Sequence, residues 1–165
     1  MLLDTAAASG TGSVDRLMAE LLPSARKLFG MEVAFVSEFH KGRRVFRYVD
    51  CQDGAKLITV NGSDPLEESY CQRIVDGRIP ELLQDAQCNV EAMKLPVTLA
   101  LPVGAHLSVP IRFSSGCVYG TFCCFSRQAD ATLSCRDVAT MRFFADIVGK
   151  VLEDRQSVEI ARQAV

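Results

Sequence analysis

Residues 104–126, GAHLSVPIRFSSGCVYGTFCCFS, form the stretch that decides the fold. In its first half, apolar side chains occupy every second position and therefore share one face of a strand. These side chains are Leu107, Val109, Ile111 and Phe113, and the opposite face has His106, Ser108, Pro110 and Arg112. Residues 114–116, Ser-Ser-Gly, predict a tight turn, because glycine readily adopts a positive φ. The second half, residues 118–125, is apolar on both faces, which is typical of a strand covered from both sides.

The composition is that of one globular domain. The chain has 165 residues, of which 48% are apolar and 23% are charged, and its net charge is −2. A chain of this length buries roughly two-thirds of its unfolded surface, which is enough for a hydrophobic core without disulfides or metals. The densest basic cluster, Lys41, Arg43 and Arg44, lies at a predicted turn and lacks the broad basic face of a nucleic-acid-binding protein. We therefore expect no nucleic-acid partner.

The sequence contains no segment that predicts export or membrane insertion. Its N-terminal residues lack the basic region and the apolar run of a signal peptide. No window of about 18 apolar residues occurs, since the best candidate, 95–111, is interrupted by prolines and a glycine. We therefore expect a cytoplasmic protein with no membrane partner.

The seven cysteines predict free thiols. Their number is odd, no CxxC motif occurs, and no export signal accompanies them. Cys123 and Cys124 are adjacent in a predicted strand, so their side chains should point to opposite faces of the sheet. With only two histidines in the chain, no zinc site is expected. Buried cysteines that act as small hydrophobic side chains are the simplest interpretation.

The first half of the chain predicts a helix, three strands and a second helix. A helical stripe runs over 14–29, with Ser13 as N-cap and with Pro23 predicted to kink or split the helix. The three strands, at 33–40, 44–51 and 56–60, should form an antiparallel meander. Residues 64–77 then predict a helix that begins with Asp64 as N-cap.

The second half predicts irregular connections around the hairpin and a long final helix. Residues 80–86 read as a short extended piece, and 88–103 as an irregular segment with one helical turn near 89–94. Ser134 and Asp137 form the pattern of a capping box at the start of the last helix. Its apolar stripe thins after Leu152. We therefore expect a flexible tail at 1–12, a domain at 13–155, and a helical extension or connector at 156–165.

This order of elements resembles that of a GAF domain, over about residues 14–155. The residues that show the resemblance are Gly104 with SVPI at 108–111, YGTFCCF at 119–125, and LS at 133–134 followed by Asp137 and the stripe at 141–152. DP at 64–65, SYC at 69–71 and DA at 85–86 resemble a GAF subgroup of bacterial signalling proteins. The resemblance implies an α+β fold with a central antiparallel sheet of five to six strands. The terminal helices would pack on one face, and short helices and loops would close a small-molecule pocket on the other.

The family resemblance also implies a sensory or regulatory role without catalysis. Members commonly dimerise through their terminal helices and pass a signal along the C-terminal helix, so we expect a homodimer through 14–29 and 134–155. A downstream output domain is a possible partner. The cofactor, if there is one, is not identified by the sequence.

The predicted ligand site combines residues from four parts of the chain. The candidates are Ser37 and Phe39 from the first strand, Tyr70, Cys71 and Ile74 from the short helix, Asp85 after it, and His106 and Ser108 from the hairpin. His106 beside Ser108 could donate a hydrogen bond to an anionic or carbonyl ligand. The alternatives are that Tyr70 and Ile74 only pack the core, and that His106 is a partly exposed strand residue.

Three other classes of function stay open: an enzyme, a tetrapyrrole or thiol redox sensor, and a dimerisation module. Some GAF proteins reduce free methionine sulfoxide with cysteines in a glycine-rich loop, but 88–103 has only Cys88 and no glycine near it. Bilin-binding members have a Cys-His pair, which this chain lacks. A thiol redox sensor needs a low-pKa thiol, and here Cys135, next to the N-cap and Arg136, is the candidate, whereas Cys71 is predicted to lie mid-helix. The third alternative is a dimerisation module without a ligand.

Overall fold

The computed structural model describes residues 5–165, with side chains from residue 12 onward. Within this part of the chain, six antiparallel strands form one sheet in the order β3-β2-β1-β6-β5-β4. The strands are β1 (Val33–His40), β2 (Arg43–Cys51), β3 (Ser63–Pro65), β4 (Leu82–Leu83), β5 (His106–Arg112) and β6 (Val118–Phe125). The helices are α1 (Thr5–Leu28), α2 (Tyr70–Val75), α3 (Val90–Met93), α4 (Pro96–Ala100) and α5 (Cys135–Gln163).

The two faces of the sheet are covered by different layers. On one face, α1 and α5 pack with Met18, Leu22, Met141 and Val148 against apolar side chains of the sheet that include Phe122. On the other face, α2, α3, α4 and their connections pack around a second apolar cluster, which includes Phe35, Phe46, Tyr70, Leu95 and Phe125. This arrangement confirms the predicted α+β fold, with the terminal helices on one face and short helices on the other.

The β5–β6 hairpin has the predicted alternation. Leu107 and Val109 face the terminal helices, whereas His106 and Ser108 lie buried on the opposite side of the sheet. Gly116 adopts φ +86° in the connecting turn. The adjacent Cys123 and Cys124 belong to opposite apolar clusters, as the period of a strand requires.

A β-bulge interrupts the alternation of side chains in β2. Val36 pairs with Tyr48 but Ser37 pairs with Phe46, so Arg47 is an extra residue that no residue of β1 pairs with in the strand register. Phe46 therefore faces the short helices, while Tyr48 faces the terminal helices. The Tyr48 hydroxyl donates to Asp15 Oδ1 at 3.0 Å and accepts from Arg155 Nη1 at 2.8 Å, which connects β2 to both α1 and α5.

The first helix differs from its prediction at the N-cap, and of the two outcomes predicted for the proline it is not split there. It begins at Thr5, so Ser13 is an interior residue, and it continues through Pro23. Met18, Leu22 and Ala25 stay on one buried stripe across the proline, so their packing offsets the lost backbone hydrogen bond. Residues 5–12 of the predicted tail are thus helical in backbone, and residues 1–4 lie outside the described residues.

The predicted third strand at 56–60 is wrong, because β2 pairs with a later segment. The Phe46 N–H donates to the Gly62 carbonyl at 3.0 Å, and the Asn61 N–H donates to the Phe46 carbonyl at 2.7 Å. The edge strand is β3, whose Asp64 pairs with Arg44. Residues 56–60 are irregular instead.

The second helix starts later than predicted. Its N-cap is Ser69, whose Oγ accepts from the Gln72 N–H at 3.1 Å, and not Asp64. A 3₁₀ turn over Leu66–Glu68 separates β3 from this helix. Cys71 is consequently the second residue of α2, and the prediction that it lies mid-helix is wrong.

The segment 88–103 is more regular than predicted. The helical turn expected near 89–94 is α3, capped by Asn89, whose side chain accepts from the Ala92 N–H at 2.9 Å. A further helix, α4, begins directly at Pro96, which needs no N–H there. Together α3 and α4 cover part of the sheet.

The last helix has the predicted capping box. Ser134 caps the backbone of α5, and Asp137 Oδ2 accepts from the Ser134 N–H at 2.7 Å. The helix continues to Gln163, and its residues from 156 onward are exposed. The boundary between domain and connector at 155–156 stays a prediction. No helix within residues 5–165 combines the length and apolar character that crossing a bilayer requires.

Met141 tests the packing between α5 and the sheet. It is fully buried, so Met141→Ala should lower the free energy of unfolding by about 3 kcal/mol through lost contacts and a residual cavity. Leu99→Ala on α4 is the control, because Leu99 is 62% exposed and its truncation should cost less than about 0.5 kcal/mol. Urea unfolding measures both values. Equal losses in the two variants would contradict the assigned layers.

Candidate functional site

A cavity of about 310 Å³ lies between the sheet and α4, on the face opposite the terminal helices. Most of its lining is apolar, with Phe35, Phe46 and Phe125 from the strands and Val97 and Leu101 from the short-helix layer. Polar groups enter at Arg44, Asp64, Tyr70 and His106. An apolar cavity with a few polar groups that converge on it is the usual form of a small-molecule site.

The strand register brings the polar side chains together under the short helices. Across the centre of the sheet, Ser37 pairs with Thr121, and Cys123 pairs with Ser108. Because paired residues share a face, these four side chains all lie on the cavity side of the sheet. His106 lies beside them, paired with Phe125.

Arg44 is a buried cation held by partners from two other elements. Its side chain is 5% exposed and forms a two-point ion pair with Asp64, in which Nε donates to Oδ1 at 2.9 Å and Nη2 donates to Oδ2. Nη1 donates to Cys71 Sγ at 3.3 Å, and the guanidinium lies 4.8 Å from the Phe46 ring centroid. Burial opposes the charge, but the neighbouring Cys71 and Asp64 outweigh it and raise the pKa of Arg44 above its ordinary value.

Cys71 lies in a buried set of hydrogen-bond donors. Its Sγ accepts from Thr121 Oγ1 at 2.9 Å, in addition to Arg44, and Ser37 Oγ lies 3.9 Å away. Burial opposes ionisation of this thiol, but the hydrogen bond from Cys123, the Arg44 charge and the bond from Thr121 lower the pKa of Cys71 well below its ordinary value. Cys123 behaves oppositely, because burial and the neighbouring Cys71 raise the pKa of its thiol.

His106 and Tyr70 form a stacked pair at the cavity. Their ring centroids lie 4.5 Å apart with 26° between the ring planes. The Tyr70 hydroxyl is hydrogen-bonded to Thr98 Oγ1, which in turn donates to the Ala92 carbonyl. Burial, with the Arg44 charge as a smaller cause, lowers the pKa of His106 to about 3, so this imidazole is neutral at physiological pH. Its Nδ1 has no hydrogen-bond partner among the residues that the structure describes.

The eight predicted ligand residues separate into three groups. Tyr70 and His106 line the cavity. Ser37, Cys71 and Ser108 form the buried polar cluster beside it.

The remaining three predicted residues lie away from the polar groups of the cavity. Phe39 and Ile74 pack in the apolar cluster of the same layer. Asp85 does not line the cavity, because its side chain caps the 3₁₀ turn Ala86–Cys88 by accepting from the Gln87 N–H at 3.0 Å. The redox candidate Cys135 is exposed at the first position of α5, a helix that packs on the opposite face of the sheet.

The sequence interpretation missed Arg44 and Asp64. The sequence places Arg44 in a basic cluster at the turn before its strand and predicts Asp64 as a helix cap, whereas the two residues pair with one another across neighbouring strands. One signal was present, since Arg44 precedes the buried Phe46 by two positions and therefore shares its face. No signal within either local segment reveals their mutual contact.

A groove larger than this cavity lies elsewhere on the domain. A groove of about 760 Å³ lies near Glu32 and the loop at 126–130. Its principal charged groups already neutralise each other, since Arg127 Nη2 lies 2.6 Å from Glu32 Oε2. Among residues 12–165, whose side chains are described, no group of three or more His, Cys, Asp or Glu side chains is placed to hold a metal ion.

His106 provides a test through the pH dependence of stability. The unfolded chain protonates this histidine below its ordinary pKa of 6.5, whereas the folded chain does not, so folding stability falls as pH drops below 6.5. At about pH 5 this loss is about 2 kcal/mol relative to neutral pH, and His106→Gln should abolish it. Urea unfolding at the two pH values measures the difference.

His40→Gln is the matched control, because His40 is the other histidine and is exposed. The control should retain the pH dependence of the wild type. A His106→Gln variant that also retained it would disprove the burial of a neutral imidazole.

Comparison with known proteins identifies the family. The family model described as GAF domain matches residues 13–152. No curated protein sequence matches the chain significantly.

Solved structures, two of them described as GAF domains, share this fold at low sequence identity. The blue-light absorbing form of the Thermosynechococcus elongatus PixJ GAF domain has 15% identity and a TM-score of 0.72, with 95% of each chain covered. The phycoerythrobilin-bound GAF domain of a cyanobacterial phytochrome has 12% identity and a TM-score of 0.71, with 93% of each chain covered. Type II free methionine-R-sulfoxide reductase from Thermoplasma acidophilum has 14% identity and a TM-score of 0.62, covering 86% of this chain and 95% of that one. With the family match over most of its length and this shared architecture, the chain belongs to the GAF domain family.

Proposed function

We propose that this GAF domain is a cytoplasmic sensory or regulatory module that binds a small molecule in the cavity beside Arg44 and His106. The observation that supports this most directly is the buried His106 Nδ1, which lacks a partner in the described part of the chain while its ring borders an apolar cavity. Buried polar atoms are ordinarily satisfied, and in a cavity a ligand group can satisfy them. The bilin-bound state of one structural neighbour supports ligand binding in this family.

The charges around the cavity favour a neutral ligand over an anion. Arg44 has one positive charge, which Asp64 already neutralises, and its Nη1 donates to Cys71 Sγ. An anionic ligand would therefore find no unpaired cation in the described lining of the cavity. A compact, mainly apolar ligand with one carbonyl, hydroxyl or N–H group for His106 fits the site best, since about 310 Å³ is at the small end for ligand cavities.

Strand β5 offers a physical route from the cavity to the terminal helices. His106 borders the cavity, and the next residue, Leu107, packs in the cluster shared with α1 and α5. A ligand that displaces β5 would therefore displace the packing of α5 as well. We propose that this coupling passes the signal toward a downstream partner, with no catalysis by the domain itself.

The terminal helices also provide the surface for the proposed homodimer. Phe143 on α5 is 63% exposed, which is unusual for so large an apolar side chain on a helix whose other face is buried. A second copy of the chain would cover it. The expected subgroup, bacterial signalling proteins, is part of the same proposal.

Filling the cavity tests ligand binding. Indole should raise the thermal-unfolding midpoint of the wild type with saturation, and should do so more strongly than the anionic indole-3-acetate. At about one hundred times its dissociation constant, indole would stabilise the fold by about 2.7 kcal/mol. Val97→Trp, which places a large ring in the cavity, should abolish this shift, whereas Leu99→Trp on the exposed side of α4 should not.

The proposed binding site would be wrong if indole gave no saturable shift in the wild type. It would also be wrong if the Val97→Trp variant, shown to be folded by its unfolding transition, responded as the wild type does.

Dimerisation has its own test at Phe143. Phe143→Glu should convert the dimer into a monomer in analytical ultracentrifugation, because two buried carboxylates would face each other without partners. Val90→Glu on α3 is the control, since Val90 is 75% exposed in the opposite layer and should leave the dimer intact. A wild type that sediments only as a monomer would contradict the proposal.

A further inference from the structure

Two buried sulfur atoms meet under the short helices. Cys71 Sγ, from α2, and Cys123 Sγ, from the central strand β6, lie 4.0 Å apart, although the residues are 52 positions apart in the chain. Both side chains are fully buried, and neither lines the ligand cavity. Packing alone does not require two thiols here, since small apolar side chains would fill the same space.

The surroundings make the two thiols chemically unequal. Cys71 receives hydrogen bonds from Arg44 Nη1 at 3.3 Å and Thr121 Oγ1 at 2.9 Å. Ser37, whose Oγ lies 2.8 Å from Thr121 Oγ1, can donate to Thr121, which leaves the Thr121 proton for the sulfur. These donors stabilise a thiolate, and a thiolate is the nucleophilic form of cysteine.

Cys123 has the environment of a protonated partner. Its single S–H proton is directed to Cys71 Sγ, Ser108 Oγ lies 2.6 Å from its sulfur, and none of the described residues places a cation beside it as Arg44 lies beside Cys71. An ionised thiol beside a protonated one is the arrangement in which the first attacks an oxidant and the second resolves the product.

We propose that Cys71 and Cys123 form a redox-active dithiol that a hydroperoxide oxidises to a disulfide. In the first step, the Cys71 sulfur attacks the terminal oxygen of the peroxide, the S–O bond forms, and the O–O bond breaks. The leaving alkoxide takes a proton and departs as an alcohol, or as water when hydrogen peroxide is the oxidant. Cys71 is thereby oxidised to a sulfenic acid.

In the second step, the Cys123 sulfur attacks the Cys71 sulfur. The S–S bond forms, the S–O bond breaks, and the hydroxyl leaves as water with the Cys123 proton. Overall, two thiols and one hydroperoxide give one disulfide, one alcohol and one water. Thiol–disulfide exchange with a dithiol reductant restores both thiols.

The structure also suggests how the disulfide would affect the domain. Closing the sulfur–sulfur distance from 4.0 Å to the roughly 2 Å of a disulfide draws α2 toward β6. Tyr70, next to Cys71 in α2, stacks on His106 at the cavity, so the cavity lining would shift. Oxidation also removes the negative charge of Cys71 from Arg44. This redox site does not depend on the proposed ligand.

The cavity is the route that we propose for the peroxide. Arg44 lines the cavity and donates to Cys71, so a small peroxide inside the cavity is separated from the sulfur by one side chain. The exposed Cys135 lies on a different layer and takes no part in this chemistry.

Peptide mapping of the intact chain tests the proposal. The reduced protein is treated with hydrogen peroxide, alkylated under denaturing conditions and digested with trypsin, which cleaves between Cys71 and Cys123 at Arg73, Arg78, Lys94 and Arg112. We expect a chain lighter by two hydrogen atoms, two fewer alkylated thiols than the seven of the reduced chain, and a cross-linked peptide that contains Cys71 and Cys123. Dithiothreitol should restore all of the thiols.

A variant with fewer cysteines removes competing thiols. In the chain with Cys88→Ser, Cys117→Ser and Cys135→Ser, which replaces the three exposed cysteines, the same cross-link should form. Adding Cys124→Ala to this variant should leave the yield of the Cys71–Cys123 cross-link unchanged, because Cys124 faces the terminal helices. Adding Cys123→Ala instead should lower the yield of any cross-link to Cys71 more than tenfold.

Three outcomes would overturn the proposal. The first is that all thiols remain alkylatable after peroxide treatment of the wild type. The second is that the cross-link joins Cys71 to Cys124, or that Cys71 is cross-linked to another cysteine equally well in the Cys123→Ala variant. The third is that Cys71 proceeds to sulfinic acid without a disulfide. Because the cross-link is read directly in chains that contain both residues, a folding defect of one variant does not decide the result.

Discussion

Strand β6 buries both of its faces, and this requirement determines the arrangement of the layers. Phe122 and Cys124 point toward the terminal helices, while Cys123 and Phe125 point toward the short helices. Burying a side chain such as Phe122 stabilises the folded state by about 2–3 kcal/mol, and exposing either face of the strand would lose this stabilisation for several side chains. The strand therefore lies inside the sheet, between β1 and β5, and needs helices on both sides.

The buried charge of Arg44 has a comparable role within the candidate site. An unpaired guanidinium in this layer would be strongly destabilising, so its partners must reach it. Asp64 does so from the edge strand and Cys71 from α2, and Arg44 thereby holds β2, β3 and α2 in one arrangement. The same contacts lower the pKa of Cys71, so one cation would account for both the stability of the site and the proposed reactivity of this thiol.

Features that depend on a short stretch of chain were predictable from the sequence. The β5–β6 hairpin follows from alternation and Gly116, and the start of α5 follows from its capping box. The errors came from competition between distant segments. Asp64 is a good N-cap by its local pattern, yet the ion pair with Arg44 takes its carboxylate and Ser69 caps the helix instead. Of the candidate site, Tyr70 and His106 were found at the cavity by their position on the sheet and helix faces, whereas the Arg44 environment required contacts that no local pattern contains.

The extra residue in β2 has a consequence for how this chain tolerates insertions and deletions. Side chains alternate between the two faces of the sheet on both sides of Arg47, but the alternation shifts by one residue there. Losing that one residue would exchange the faces of one half, and either Phe46 would leave the cavity layer or Tyr48 would lose Asp15 and Arg155. A gain or loss of one residue at the exposed turn 53–54, in the connection that follows β2, would change only the length of that connection. Length variation in relatives should therefore be confined to that connection, and an alignment with a gap inside β2 would assign Arg44 to the wrong side of the sheet.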